Sequence, residues 1–173
     1  MITRQLSFSA LILLFIYTLQ ESLMNQVRLP GGGFSLFLIF ILVWAALSTP
    51  EVGAVTGFAA GFLIDLSPSS SGPVGQWTLI MVLTCFGIAF LGFGDDKARG
   101  NPITIVFLVL FGVFVSEVAF IFSGALLGVN LGSFGQILLT LIGMSMWTLL
   151  ITPFTLPIFS RMHAFTFDTG SRI

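Results

Sequence analysis

Long stretches of this 173-residue chain contain no charged residue. The charge-free windows cover residues 5–20, 29–50, 52–64, 66–94, 100–116 and 118–160. Charged residues make up 8% of the chain, whereas a soluble domain carries about 25%. The 6 basic and 7 acidic side chains cannot cover a globule of this size in water, while lipid requires an apolar exterior. The composition therefore excludes a soluble fold and predicts an integral membrane protein.

The apolar runs are continuous, which favours helices over a membrane barrel. Residues 11–16 and 37–43 are all apolar, whereas barrel strands alternate lipid-facing and lumen-facing residues. Since a crossing takes about 20 residues, we predict an all-α, polytopic bundle of six transmembrane helices that forms a single domain over 1–173. The expected helices cover about 5–24, 34–49, 51–66, 75–93, 103–127 and 134–159.

The stretch 34–66 leaves the number of spans open. It is short for two full crossings and long for one, so a five-span bundle is the alternative. Two short helices are preferred because Pro50 and Glu51 mark a turn with a charge at the membrane surface. A single tilted helix would have to bury that charge near its middle.

Basic residues predict the orientation of the bundle. With six spans and a cytoplasmic N-terminus, Arg28 lies outside and the other basic residues lie inside, namely Arg4, Lys97, Arg99, Arg161 and Arg172. A five-span bundle with the N-terminus outside places Arg28 inside and Arg4 outside, so the number of basic residues on each side is the same. Both versions place the C-terminal tail, which follows residue 160, in the cytoplasm. The free amino group of Met1 favours six spans, and the missing cleavage pattern after the first apolar run indicates a retained helix.

Several function classes lack the residues that they need. The net charge of −1 gives no basic excess for binding nucleic acid. Cys85 and His163 are the single cysteine and histidine, so we expect no disulfide, no metal site and no cofactor. No nucleophile, base and orienting group come together, so we expect no catalytic residues and a protein that is not an enzyme.

Small residues form a regular pattern in the third predicted helix. Gly53, Gly57 and Gly61 recur every four residues, and Asp65 continues the spacing on the same face. In lipid, close backbone approach at small residues is a main source of helix association. The glycines therefore predict a packing seam, either inside this chain, which is the preferred interpretation, or against a partner protein.

Asp65 ends this helix beside a loop of Ser, Pro and Gly. It is either a solvated residue at the membrane boundary or an acceptor for the loop and the start of the fourth helix. Gly75 opens the fourth helix and joins the glycines as a candidate for packing or partner contact. Trp77 follows, where an indole at the interface acts as an anchor.

Glu117 is the only carboxylate predicted to lie deep in the hydrocarbon. No Lys or Arg lies within a predicted span, so Glu117 has no cation to pair with inside the membrane. The candidate donors are a basic side chain of another protein or four residues of the sixth helix, namely Gln136, Thr140, Trp147 and Thr148. A structural hydrogen bond and a partner-binding or proton-linked role remain as alternatives.

One segment carries a family resemblance. Gly57-Phe-x-x-Gly61-Phe-x-x-Asp65, a short Pro/Ser loop, and Pro73-x-Gly75-x-Trp77-x-Leu79 together resemble the rod shape-determining protein MreD family. Chain length and the expected cytoplasmic C-terminus are also similar. The family pattern falls on Gly57, Gly61, Asp65 and Gly75, whereas Glu117 lies outside it.

The resemblance implies a multi-pass scaffold of the cell-elongation (rod) complex in the bacterial cytoplasmic membrane. The implied partners are MreC, MreB filaments, RodA and a penicillin-binding transpeptidase, with membrane lipid around the bundle. Such a protein links MreB to peptidoglycan synthesis and cell shape, and we expect it to contact MreC in or at the outer side of the membrane. The alternative is a membrane subunit similar to the vitamin-binding components of energy-coupling-factor transporters, with an outward-facing pocket formed by Asp65, Trp77, Glu117, Asn130 and Gln136.

Overall fold

The computed structural model describes residues 2–22, 34–68, 70, 72–93, 100–128 and 132–167, with side chains from Ser9 onwards. These residues form six helices and no strands, which confirms the all-α class. The helices are α1 (Ile2–Ser22), α2 (Leu36–Leu47), α3 (Pro50–Asp65), α4 (Gln76–Gly92), α5 (Pro102–Leu126) and α6 (Phe134–Phe167).

The last helix differs most from its expected bounds. The other five begin and end within three residues of the expected positions, but α6 continues beyond 159 through Arg161 to Phe167. A charge near the end of an apolar run marks the edge of the hydrocarbon and does not end a helix. The additional turns are packed against α2, where His163 contacts Trp44 with ring centroids 5.0 Å apart.

The stretch 34–66 forms two helices. Ser48 and Thr49 separate α2 from α3 and both have extended backbone. Pro50 occupies the first turn of α3, where its missing N–H leaves no hydrogen bond unmade.

Side chains at the helix ends show that consecutive helices run antiparallel. Gln20, near the end of α1, accepts the first N–H of α2 at 2.8 Å. Glu21 accepts from the hydroxyl of Ser67, just after α3, at 2.7 Å. At the opposite end of α2, Ser48 Oγ lies 3.0 Å from Nε2 of His163 in the last turns of α6. We name these two sides of the bundle the Gln20 end and the His163 end.

The shortest helix, α2, lies at the centre of the bundle. It contacts all five other helices, and every residue from Phe37 to Ala46 is buried. A helix that is apolar on all sides is typical of such an enclosed position. Its 12 residues span about 18 Å, and Ser35 caps its start by accepting the N–H of Leu38 at 3.1 Å.

Two helices, α5 and α6, are long and apolar enough to cross a bilayer by their length and composition. Residues 9–22 of α1 and the helices α2 and α4 are apolar but shorter. The coarse prediction of membrane-type helices therefore has support from α5 and α6.

Candidate functional site

The three glycines of α3 face α4 and leave no room for a side chain. A Cβ at Gly53 would lie 2.8 Å from the Cβ of Ala89, and one at Gly61 would lie 2.5 Å from the Cα of Thr78. At Gly57 a Cβ would overlap a backbone carbonyl oxygen of α4. The glycine seam is thus occupied within this chain, and it brings the two helix backbones into contact.

Asp65 caps the start of α4 from the end of α3. The side chain is buried, and Oδ2 accepts the N–H groups of Gly75 and Thr78, both at 2.9 Å, and the hydroxyl of Thr78 at 2.5 Å. Oδ1 accepts the N–H of Trp77 at 3.1 Å. The first N–H groups of a helix lack partners inside the helix and carry partial positive charge, which a carboxylate stabilises. Asp65 therefore joins α3 to α4 as an acceptor, not as a solvated boundary residue.

Gly75 has a conformational role, which differs from the expected packing role. Its φ of +97° lies in the left-handed region, and nothing lies within 4 Å of the position that a Cβ would occupy. Glycine adopts this conformation without the steric cost that other residues meet. The turn points the N–H of Gly75 at Asp65, so Gly57, Gly61, Asp65 and Gly75 form one unit, which we call the α3–α4 hairpin.

Trp77 lies between helices at the Gln20 end. It is half-buried and stacks on Phe120 of α5, with ring centroids 4.7 Å apart. The preceding Gln76 donates from Nε2 to the carbonyl of Phe120 at 3.0 Å and to the hydroxyl of Ser123 at 2.7 Å. The start of α4 is therefore attached to α5 as well as to α3.

A cavity of about 160 Å³ lies at the Gln20 end where all six helices meet. Its lining includes Tyr17 of α1, Phe37 of α2, Ile64 of α3, Trp77 of α4, Glu117 of α5 and Met144 of α6. Most of the wall is apolar. Four further polar residues line it, and all four already bind helix ends, namely Gln20, Glu21, Ser35 and Ser67.

Glu117 lies on α5 between this cavity and a second one of about 190 Å³. Gln136 and Thr140 of α6 line the second cavity, whereas the other two candidate donors, Trp147 and Thr148, do not. Glu117 is half-buried, and in the described part of the chain no donor is hydrogen-bonded to its carboxylate.

A third cavity, of about 590 Å³, continues along the same two helices. Leu141 lines both it and the cavity beside Glu117. Its other lining residues are almost all apolar, namely Phe107, Leu110, Phe111, Phe114, Leu138, Ile142 and Ser145. We name these two neighbouring cavities, which share Leu141, the α5–α6 groove.

The polar residues suggested for a ligand pocket are not gathered in one place. Trp77 and Glu117 share the 160 Å³ cavity, Gln136 shares only the second cavity with Glu117, and Asp65 is occupied by α4. Asn130 lies outside the described residues. Among the residues that are described, no three His, Cys, Asp or Glu side chains are grouped as a metal site requires.

The sequence does not predict the roles of Gln20 and Gln76, which join helix ends through hydrogen bonds. Each is an uncharged amide at the end of an apolar helix, and that placement is the available signal for a side chain that satisfies a neighbouring helix end. Comparison of the chain with protein-family models, with curated proteins and with solved structures gives no match.

Proposed function

We propose that this chain is a six-span protein of the bacterial cytoplasmic membrane. Large apolar side chains are exposed on every helix except α2, including Phe134, Phe154 and Leu126, which are 80%, 75% and 74% exposed. Five charged side chains belong to the described part, and only two of them are exposed, Glu51 and Arg161. Both exposed charges lie towards the His163 end. Such a surface suits lipid and would be unstable in water.

The antiparallel course supports six crossings. The start of α1 and the end of α6 fall on the same side of the bundle, which is the parity of an even number of spans. Arg161 is exposed at the His163 end, which we assign to the cytoplasm. The side chains of the other basic residues that suggest this orientation, among them Arg4 and Arg28, lie outside the described side chains.

Within the membrane, the chain acts as a non-enzymatic scaffold similar to MreD. The observation that carries this proposal is that all four motif residues belong to the α3–α4 hairpin. Gly57 and Gly61 bring the two helices together, and Asp65 accepts the N–H that the turn at Gly75 presents. The motif is thus a structural unit, and the proposed role is binding MreC and linking MreB filaments to RodA and its transpeptidase.

Affinity purification from native membranes of a rod-shaped bacterium tests this proposal. We expect MreC and wall-synthesis enzymes to be retained with the tagged chain, and depletion of the chain to make the cells round. Retention of an ATPase module and a membrane coupling subunit, with normal cell shape after depletion, would overturn it.

The vitamin-binding subunit is the second candidate, and the cavity where the six helices meet is the place where it would hold its ligand. That cavity measures about 160 Å³, whereas pockets for small organic ligands measure about 300–1,000 Å³. Equilibrium binding of radiolabelled water-soluble vitamins to the purified protein would separate the candidates. A scaffold shows no saturable binding in this assay.

A further inference from the structure

In the first half of α6, no side chain before Thr148 is buried. Leu139 and Met146 are 65% and 68% exposed, and the α5–α6 groove separates this half from α5. The groove extends from Phe107 to Ile121 on α5, which is about 21 Å along the helix axis. This length corresponds to about four turns of a third helix.

One end of this groove is polar, because Glu117 of α5 lines it together with Gln136 and Thr140 of α6. Glu117 lies nine residues before the end of α5 at Leu126, which places it about 13 Å along the axis from the Gln20 end. A carboxyl group at this depth is costly unless a donor stabilises it, and none does so in the described part of the chain. A molecule that fills the groove therefore needs an apolar surface along most of its length and a donor opposite Glu117.

We propose that the α5–α6 groove is the docking site for one transmembrane helix of a partner protein, with a cationic or hydrogen-bond-donating side chain opposite Glu117. This inference rests on the proposed membrane location and scaffold role, and it names the face at which the partner binds. A transmembrane helix can carry a donor at any depth. A phospholipid holds its polar groups at the interface and presents only hydrocarbon to Glu117.

Site-specific photocrosslinking in native membranes tests the docking face. A photoreactive phenylalanine analogue replaces Phe111 or Leu138 in the groove, and Leu83, which is 63% exposed on α4, is the matched control position. We expect both groove positions to form adducts with a peptide. Mass spectrometry should identify that peptide as part of the transmembrane helix of a single-pass protein. Adducts of phospholipid mass, attachment to a second copy of this chain, or no adduct would each overturn the proposal.

Substitutions test the role of Glu117 in the same assay. Because interhelical hydrogen bonds contribute modestly in membranes, we expect Glu117→Leu to lower the adduct yield about three- to tenfold and Glu117→Lys to lower it further. An unchanged yield in both variants would show that Glu117 does not select the partner. Glu117→Gln separates the contributions: a yield close to that of the unsubstituted chain would indicate a hydrogen bond, and a yield like that of Glu117→Leu would indicate an ion pair.

Steric filling provides a test that does not depend on charge. Ser145→Trp places a large side chain in the groove, whereas Leu139→Trp changes an exposed residue of the same helix that does not line it. We expect only Ser145→Trp to abolish the adduct, while both variants keep the unfolding temperature of the unsubstituted protein. Equal adduct yields in the two variants would contradict the proposal that the partner helix docks in the groove.

The docking face and the scaffold role can fail separately. If MreC is retained on purification but crosslinks at Leu83 and not in the groove, the docking face is wrong and the scaffold role stands. If a single-pass protein unrelated to wall synthesis occupies the groove, the docking face stands and the scaffold role is wrong.

Discussion

At Asp65, one carboxylate accepts four hydrogen bonds from the start of a helix that lies ten or more residues further along the chain. We expect Asp65→Ala to lower the free energy of unfolding by about 2–3 kcal/mol, because three backbone N–H groups lose a charged acceptor. Thr78→Val removes only the hydroxyl bond and should cost about 1 kcal/mol. Unfolding measured in lipid bicelles checks both values, and equal stabilities of Asp65→Ala and the unsubstituted protein would contradict the capping role.

Substitutions at Gly75 test the cost of its backbone conformation without the cost of a steric clash. Nothing lies near the position of its Cβ, yet its φ is +97°, so we expect Gly75→Ala to cost about 1–2 kcal/mol. Gly75→Asn should cost less, because asparagine tolerates the left-handed region better. If Gly75→Asn were less stable than Gly75→Ala, the left-handed backbone at this position would not explain the loss of stability.

At the scale of the elements, the α3–α4 hairpin depends on backbone contact between its helices. We expect Gly57→Ala to destabilise the protein by about 1–3 kcal/mol, because the added methyl overlaps a carbonyl of α4. The matched control is Gly87→Ala in α4, where nothing lies within 4 Å and alanine favours the helix by about 1 kcal/mol. The unfolding temperature should therefore fall for Gly57→Ala and rise for Gly87→Ala. A shift in the same direction for both would contradict the close packing of α3 against α4 at Gly57.

The bounds of the helices are predictable from the sequence, whereas their packing is not. The charge-free windows and Pro50 predict the helices closely, because a charge or a proline marks the edges of apolar runs. They do not predict that α2 is enclosed by the other five helices, since its apolar residues look like those of any span. Asp65 could be placed at the end of α3, but the choice between solvent and α4 depends on the loop geometry at Gly75. The groove beside Glu117 depends on how α6 packs against α5, which local sequence does not encode.

At the scale of the whole molecule, the antiparallel order predicts that both chain termini lie on the same side of the membrane, and the proposed orientation places that side in the cytoplasm. We expect a reporter that fluoresces only in the cytoplasm to be active when it is fused near Thr3 or after Ile173. A reporter that requires export should be active near Pro30. An inactive cytoplasmic reporter at Thr3, with an active one at the C-terminus, would establish an odd number of spans.

The enclosed position of α2 has a consequence for biosynthesis. This helix is the second to leave the ribosome, but four of the five helices that surround it are synthesised later. In the proposed membrane location, a nascent chain that has reached only Gly92 lacks α5 and α6, so lipid would cover those sides of α2. The packing around α2 is therefore complete only when the last helix has been synthesised. In the proposed membrane location, a 12-residue helix about 18 Å long would until then be held in the bilayer by only part of its packing.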